Sequence, residues 1–353
     1  MDDQNHFTRH PVEFTGTAIG FFGVWITNLL LSLITFGIYS AWAKVRTKRY
    51  FHQHTTIDGR RFDYHATGKQ ILIGRVIVVI AFVLLSVASA LPLINVVMLF
   101  GWLFVLPWLL MRSIRFNARM TSFSGLRFNF HGTYWGAFRA YLLYPFLSIF
   151  TLYLTMPFVI RAQKRYTISN HSYGTARLKF DSTIGPFYAA FALAIGWALL
   201  VLAFGLGVIL SADGFAAFEA IANGTEEPAD YIMALAGYGF LFLAILPAGF
   251  IYAAFIRNTV YNNTVVEGGV ALVSDVRPLR MMWIAVTNAI LSVVSLGLLF
   301  PWAQVRMTRF LCKATALEVL GDLDAFVGDE AERTSAIGDA FTDLEAFDFG
   351  IPG

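Results

Sequence analysis

Long apolar stretches alternate along this chain with short segments in which apolar residues recur at every second position. The long stretches, 18–42, 71–91, 93–111, 140–160, 186–210, 231–256 and 281–302, approach the roughly 20 residues that a helix needs to bridge a bilayer core. The short segments predict β-hairpins. The first carries Thr55, Thr56, Asp58, Gly59, Phe62, Tyr64 and His65, and the second carries Gly125, Phe128, Phe130 and His131 at the same spacing. Apolar alternation around an Asp-Gly or Ser-Gly pair marks a hairpin, because glycine supplies the positive φ of the turn. Comparable segments run from Tyr166 to Asp181 around Gly174, from Tyr261 to Ser274 around Gly268 and Gly269, and from Phe310 to Val327 around Gly321. An isolated hairpin is only marginally stable, so these are expected to pair into a small sheet or barrel. Phe62, Tyr64, Phe128, Phe130, Leu178 and Phe180 are the residues expected in its core.

A repeat runs through this alternation. Where an apolar stretch ends, an aromatic residue is followed by spaced arginines: Trp42, Arg46, Arg49; Trp108, Arg112, Arg115; and Trp302, Arg306, Arg309. Phe158 with Arg161 and Arg165 is a fainter copy, and Arg257 with Tyr261 a worn one. The stretches 28–50 and 288–310 align without a gap, Thr27 pairing with Thr287 and Gly37 with Gly297. Self-similarity of this kind predicts a repeated architecture: a first repeat over 1–133, a second over 134–276, a partial third over 277–328, and a tail at 329–353.

Composition places the repeat in a membrane. Hydrophobic residues make up 57% of the 353 and charged residues 14%, against about a quarter charged in soluble domains, and mean hydropathy is +0.62. Lysine and arginine crowd the hairpin segments, whereas the 211–230 loop carries Asp213, Glu219, Glu226, Glu227 and Asp230 but no lysine or arginine. The positive-inside rule then puts the hairpins and the C-terminus in the cytoplasm. The segments 18–42, 140–160 and 281–302 have basic or hairpin flanks, and Asn28, Gly37, Pro145, Asn288 and Gly297 interrupt them. The expected fold is therefore an α-helical polytopic membrane protein of four full spans plus three re-entrant or interfacial segments, with a seven-span bundle as the alternative.

The run from Asn28 to Tyr50, followed by Gly59, Phe62 and Tyr64, resembles the YjgN-type family of bacterial inner-membrane proteins, and the resemblance extends from about Phe14 to the tail. It implies a multi-spanning inner-membrane protein without an established activity. Proteins of this type are often encoded beside membrane zinc metalloproteases, which implies such a protease as a partner. The resemblance carries no catalytic residues.

The candidate chemistry is binding rather than catalysis. The arginines Arg46, Arg49, Arg112, Arg115, Arg161, Arg165, Arg306 and Arg309, with Trp42, Trp108 and Trp302, suit either anchoring of helix ends at the interface or contact with anionic lipid headgroups. Asn28 and Asn288, each beside a threonine (Thr27, Thr287), either pair helices or line a polar path. No carboxylate lies inside an apolar segment, which disfavours proton-coupled transport. Hydrolase, P-loop and dinucleotide signatures are missing, so no enzyme, cofactor or nucleic-acid partner is expected. His52 and His54, two apart on an expected strand, with His65 or His131, form only a weak metal pattern. Between 329 and 353 acidic residues mix with Phe341, Phe347 and Phe349, a composition that suits a docking tail, a solvated tail, or one folded onto the basic hairpins. Two functions follow: a passive conduit or carrier for a neutral, amphipathic or lipid-like solute, or a scaffold that docks a partner through its hairpins and tail.

Overall fold

The computed structural model describes residues 7–88, 92–210, 219–220, 223–224, 237 and 247–348. Its unit is a strand, a helical excursion and a second strand. β1 (Phe7–Phe14) leads through α1 (Ala18–Ile34) and α2 (Ser40–Gln53) to β2 (Thr55–Ile57), and β3 (Arg60–Tyr64) through α3 (Gly68–Ala88) and α4 (Pro92–Met120) to β4 (Thr121–Phe123). β5 (Leu126–Phe130) continues into α5 (Tyr134–Phe138), a π-helical turn (Arg139–Leu143), α6 (Tyr144–Ile149) and α7 (Met156–Ser169), then β6 (His171–Tyr173). β7 (Ala176–Phe180) enters α8 (Gly185–Ile209), and α9 (residues 247–262) returns to β8 (Thr264–Val266). β9 (Val270–Ser274) passes through α10 (Pro278–Val294) and α11 (Phe300–Lys313) to β10 (Thr315–Leu320), and α12 (Leu323–Asp348) follows.

The ten strands close one antiparallel barrel. Asp58 and Gly59 (φ 53° and 72°) and Ser124 and Gly125 (φ 50° and 86°) make two-residue turns with both central residues left-handed, the geometry that matches strand twist. The ring is completed by the chain ends, with Phe7 of β1 opposite Leu320 of β10. Helical excursions and tight turns alternate along the chain, so the helices leave from one rim and the turns lie at the other. At the helical rim one bond recurs: Thr15, His65, His131, Asp181 and Asp275 each donate a backbone N–H to the carbonyl before the next strand, on His54, Met120, Asn170, Asn263 and Ala314. The excursions are therefore five variants of one unit, and the barrel draws strands from all three expected repeats.

Cross-strand register sets the interior. Val12 faces Ile57, Phe62 faces Phe123, Phe128 faces Tyr173, Leu178 faces Val266, and Val270 faces Val319. These pairs bury their side chains together, as residues on one face of paired strands must. The last residue of the strand before each excursion instead packs on helices: Phe14 with Phe21 and Val305, Tyr64 with Val45, Phe130 with Met111 and Tyr166, and Phe180 with Phe187 and Val260.

This architecture overturns the expected polytopic bundle of four spans plus three re-entrant segments, or of seven. Among the described residues one helix, Gly185–Gly207, is long and apolar enough to cross a membrane. A hydropathy window sums apolarity without seeing where the chain turns. The runs 18–42 and 281–302 break at Gly37 and Gly297, both at φ 88°. The run 140–160 breaks at Leu152 and Tyr153 (φ 50° and 62°) rather than at Pro145, which sits at the start of α6. The helices α1 and α10 have 17 residues each, about 25 Å at 1.5 Å per residue, short of the roughly 30 Å core. Most of 231–256 and of the 211–230 loop lies outside the described residues. Two local expectations are also corrected. Gly321 does not centre a hairpin, because β10 pairs with β9 and β1 while α12 begins two residues later. His52 and His54 do not share a strand, because His52 lies in the last turn of α2 and His54 caps it.

Candidate functional site

The barrel is not filled solid. A cavity of about 390 Å³ lies inside it. Val12, Phe123, Val266, Leu272 and Leu317 form part of its wall, and Leu323 and Phe326 of α12 close it on the turn side. On the helical side it ends at Thr308, Leu311 and Cys312 of α11, Thr315 of β10, and Arg257 and Tyr261 of α9. A cleft of about 580 Å³ between α2 and α4, lined by Phe51, His52, Ile114 and Asn117, shares Thr55, Phe62 and Phe128 with the cavity. These three residues thus stand between the apolar interior and a cleft at the rim from which the helices project.

The plug is held by one buried carboxylate. Glu330 of α12 is 2% exposed, and its Oε2 accepts hydrogen bonds from Thr175 N (3.0 Å), Thr175 Oγ1 (2.7 Å) and Ala176 N (3.0 Å) at the β6–β7 turn. With Arg333, which donates to Oε1 at 3.2 Å, four donors on one buried carboxylate compensate its desolvation. Gly174 suits this approach, since a Cβ there would crowd Leu126, Thr334 and Glu330. Arg60 pairs with Asp324 at the same rim, and through Glu330 the start of the 329–353 tail folds back onto a hairpin. Phe341 and Phe347 lie on the α12 backbone, and Phe349 falls outside the described residues. Beneath the plug, burial pushes the Tyr173 phenol up to about 12, and its hydroxyl donates to the Phe123 carbonyl at 3.1 Å.

Four of the eight repeated arginines reach backbone. Arg115 donates to the Gly132 carbonyl (2.9 Å), Arg161 to that of Ser182 (2.7 Å), Arg309 to that of Gly16 (2.8 Å) and Arg49 to that of Tyr64 (3.3 Å), while Asn258 donates to Val276 (2.9 Å). Each bond ties a returning helix to the segment where a strand leaves the barrel. Arg165 instead pairs with Asp181 at 2.9 Å. The outer arginines stay near the aromatics: Arg112 lies over Trp108 and Arg306 over Trp302, at 4.9 and 5.1 Å from the ring centroids, and Arg46 donates to the Tyr39 hydroxyl. Trp42 and Trp108 are exposed. Around Trp302 a groove of about 690 Å³ gathers Arg9, Arg277, Arg280, Arg306, Arg309 and Lys313 with one carboxylate, Asp275.

The asparagines stay within their own helical hairpins. Asn28 donates to the Ala43 carbonyl at 3.3 Å, and Asn288 to that of Ala303 at 3.0 Å while accepting from Arg306 at 2.9 Å. Thr27 bonds back to the Gly23 carbonyl, and Thr287 to that of Trp283 while accepting from Arg306. These bonds pair α1 with α2 and α10 with α11. The histidines also serve the frame: His65 pairs with Ser122 Oγ (2.7 Å) and His131 with Ser172 Oγ (3.0 Å), each across neighbouring strands.

Sequence reasoning missed β1, Glu330 and the cavity role of Arg257. Pro11 and the polar start masked the strand, and the partners of the other two lie far along the chain.

The chain matches the family model described as bacterial protein of unknown function (DUF898) over residues 9–344. It is 27% identical to inner membrane protein YjgN of Salmonella typhimurium over 91% of this chain and 90% of that one. It is 33% identical to the YjgN protein of Escherichia coli O157:H7 over 36% of this chain and 34% of that one. No solved structure matches it. An apolar composition and relatives named for the inner membrane together make this an inner-membrane protein of uncharacterised activity. A match across nearly its whole length shows that the chain belongs to the DUF898, or YjgN-type, family.

Proposed function

We propose that the chain is an inner-membrane carrier for an amphipathic, lipid-like solute, which its barrel holds away from water. The observation that carries this reading is the apolar cavity of about 390 Å³, plugged by α12 and separated by shared wall residues from a cleft at the helical rim. Its volume and its few polar groups suit a small-molecule site. The tips of the helical hairpins supply the direction: Phe36, Leu152 and Leu296 are 98%, 85% and 93% exposed, a configuration that favours an apolar surrounding. The helical end of the cavity then faces the membrane, the arginine-rich rim meets anionic headgroups, and the turn rim with α12 faces the cytoplasm. Cys312 suits binding rather than catalysis, because burial pushes its thiol up and away from the reactive thiolate.

The scaffold reading is weaker. The hairpin turns that would dock a partner such as a membrane metalloprotease are engaged by α12 through Glu330 and Asp324.

The test is to fill the cavity. Protein purified in mild detergent is examined by native mass spectrometry for co-purified amphiphile. Wild type is expected to carry about one molecule per chain, and Leu272→Trp, which projects bulk into the cavity, to carry none while melting as a folded protein. An equal load on both would remove the reading.

A further inference from the structure

Among the described residues that line the barrel cavity, Arg257 alone is charged. It stands at the helical end of the cavity, in the last turns of α9. Its partners among the described residues are neutral: Nη1 donates to the Tyr261 hydroxyl at 3.2 Å, Nη2 to Thr315 Oγ1 at 2.8 Å, and the guanidinium lies 4.2 Å from the centroid of the Tyr261 ring. Its Nε is buried without a hydrogen-bond partner. No carboxylate pairs with it among the described residues.

Arg257 is half-buried with its Nε shielded from water, and a guanidinium that always carries its charge is costly to shield unless an anion compensates it. Elsewhere in this molecule Glu330 takes donors from Thr175, Ala176 and Arg333, Arg165 and Arg60 take carboxylates, and Arg115, Arg161 and Arg309 take backbone carbonyls. Arg257 reaches neither a carboxylate nor a backbone carbonyl, only two hydroxyls, where the wall of the cavity turns from apolar to polar. Thr308, Thr315 and Cys312 surround the same end, while the far end is closed by Leu323 and Phe326. The cavity therefore has a polar pole and an apolar pole, with a positive charge at the polar one.

Resting on the carrier reading, we infer that the solute is a single-chain anionic amphiphile, whose carboxylate or phosphate head pairs with Arg257 and whose alkyl chain fills the barrel. The guanidinium fork matches either anion, and its free Nε–H supplies a donor that the protein leaves unused. A cavity at the small end of ligand-pocket sizes takes one chain rather than the two of a membrane phospholipid. The pole faces the rim from which the helices project, so the head would remain near the membrane surface while the chain points toward α12.

The inference is tested with cis-parinaric acid and its methyl ester, two fluorescent probes that share one chain and differ in charge, titrated into the purified full-length protein. Wild type is expected to bind the acid about ten-fold more tightly than the ester, the scale of one charge-assisted hydrogen bond. Arg257→Gln is expected to bring the two affinities together, and Arg257→Lys to keep part of the preference. Displacement of the acid by oleate, against 1-oleoyl lysophosphatidate, tells a carboxylate site from a phosphate site. Equal binding of acid and ester by wild type, or a preference unchanged in Arg257→Gln, would overturn the inference and leave the carrier reading standing. If neither probe binds, both fall together.

Discussion

At the scale of single residues, the polar groups of this molecule act mostly on backbone. His52 Nδ1 lies 2.7 Å from the Lys48 carbonyl and His171 Nδ1 lies 2.6 Å from that of Thr167, so each neutral ring donates to the preceding helical turn. Burial lowers both imidazoles from their ordinary value of 6.5, against a smaller upward pull from those carbonyls. A histidine depressed in the folded state binds its proton more readily when unfolded. Its contribution to stability is complete above about pH 6.5 and is lost as pH falls through the lowered value. The melting temperature is accordingly expected to drop as pH is taken from 7.5 to 5.5, and the double variant His52→Gln, His171→Gln to show a shallower drop. Parallel pH profiles for the two proteins would show that other groups carry the dependence.

At the scale of elements, the recurring device is a bond from a returning helix to the chain leaving the barrel. It fixes where the helix sits on the rim and satisfies a carbonyl between strand and helix, a place where no regular partner exists. Arg115 and Arg112, one helical turn apart on α4, separate this duty from interface anchoring. Arg115 reaches the Gly132 carbonyl, whereas Arg112 is exposed over Trp108. Arg115→Ala is expected to destabilise the protein by about 1–2 kcal/mol, and Arg112→Ala to stay within about 0.5 kcal/mol, as read from denaturant midpoints in detergent. Equal losses would mean that the two arginines serve alike. The helical hairpins follow the same economy of local contacts, since Asn28 and Asn288 join the arms of a reversal set by Gly37 and Gly297.

At the scale of the whole molecule, the barrel divides two environments. One rim carries helices whose apolar side chains are widely exposed, including all three described reversal tips, and the other carries polar turns under α12. In the proposed orientation the second rim faces the cytoplasm, the side the positive-inside rule assigns to the basic hairpins. A cysteine placed at exposed Asp329 in a Cys312→Ser background is therefore expected to escape a membrane-impermeant thiol reagent in intact cells and to react after permeabilisation. Labelling of intact cells would place α12 and the turn rim outside.

The parts of this architecture that depend on neighbours in sequence were legible. The hairpin turns at Asp58–Gly59 and Ser124–Gly125, the glycine reversals and the spacing of the arginines are local, and each is written in a few adjacent residues. The number of spans was misjudged because apolar length cannot tell a crossing from a reversal. The strand Phe7–Phe14 stayed hidden because its partner, Thr315–Leu320, stands at the other end of the chain. Glu330 read as one acid in an acidic tail until Thr175 and Ala176 came to it across some 155 positions. Arg257 read as a worn copy of a repeat until barrel closure placed it at the end of an apolar cavity. Residue order alone settles the repeat, its hairpins and its apolar character, because these rest on local conformational preference and transfer energy. Closure, the plug and the lone cation were decided only when distant strands paired, because a cavity is a property of what surrounds it.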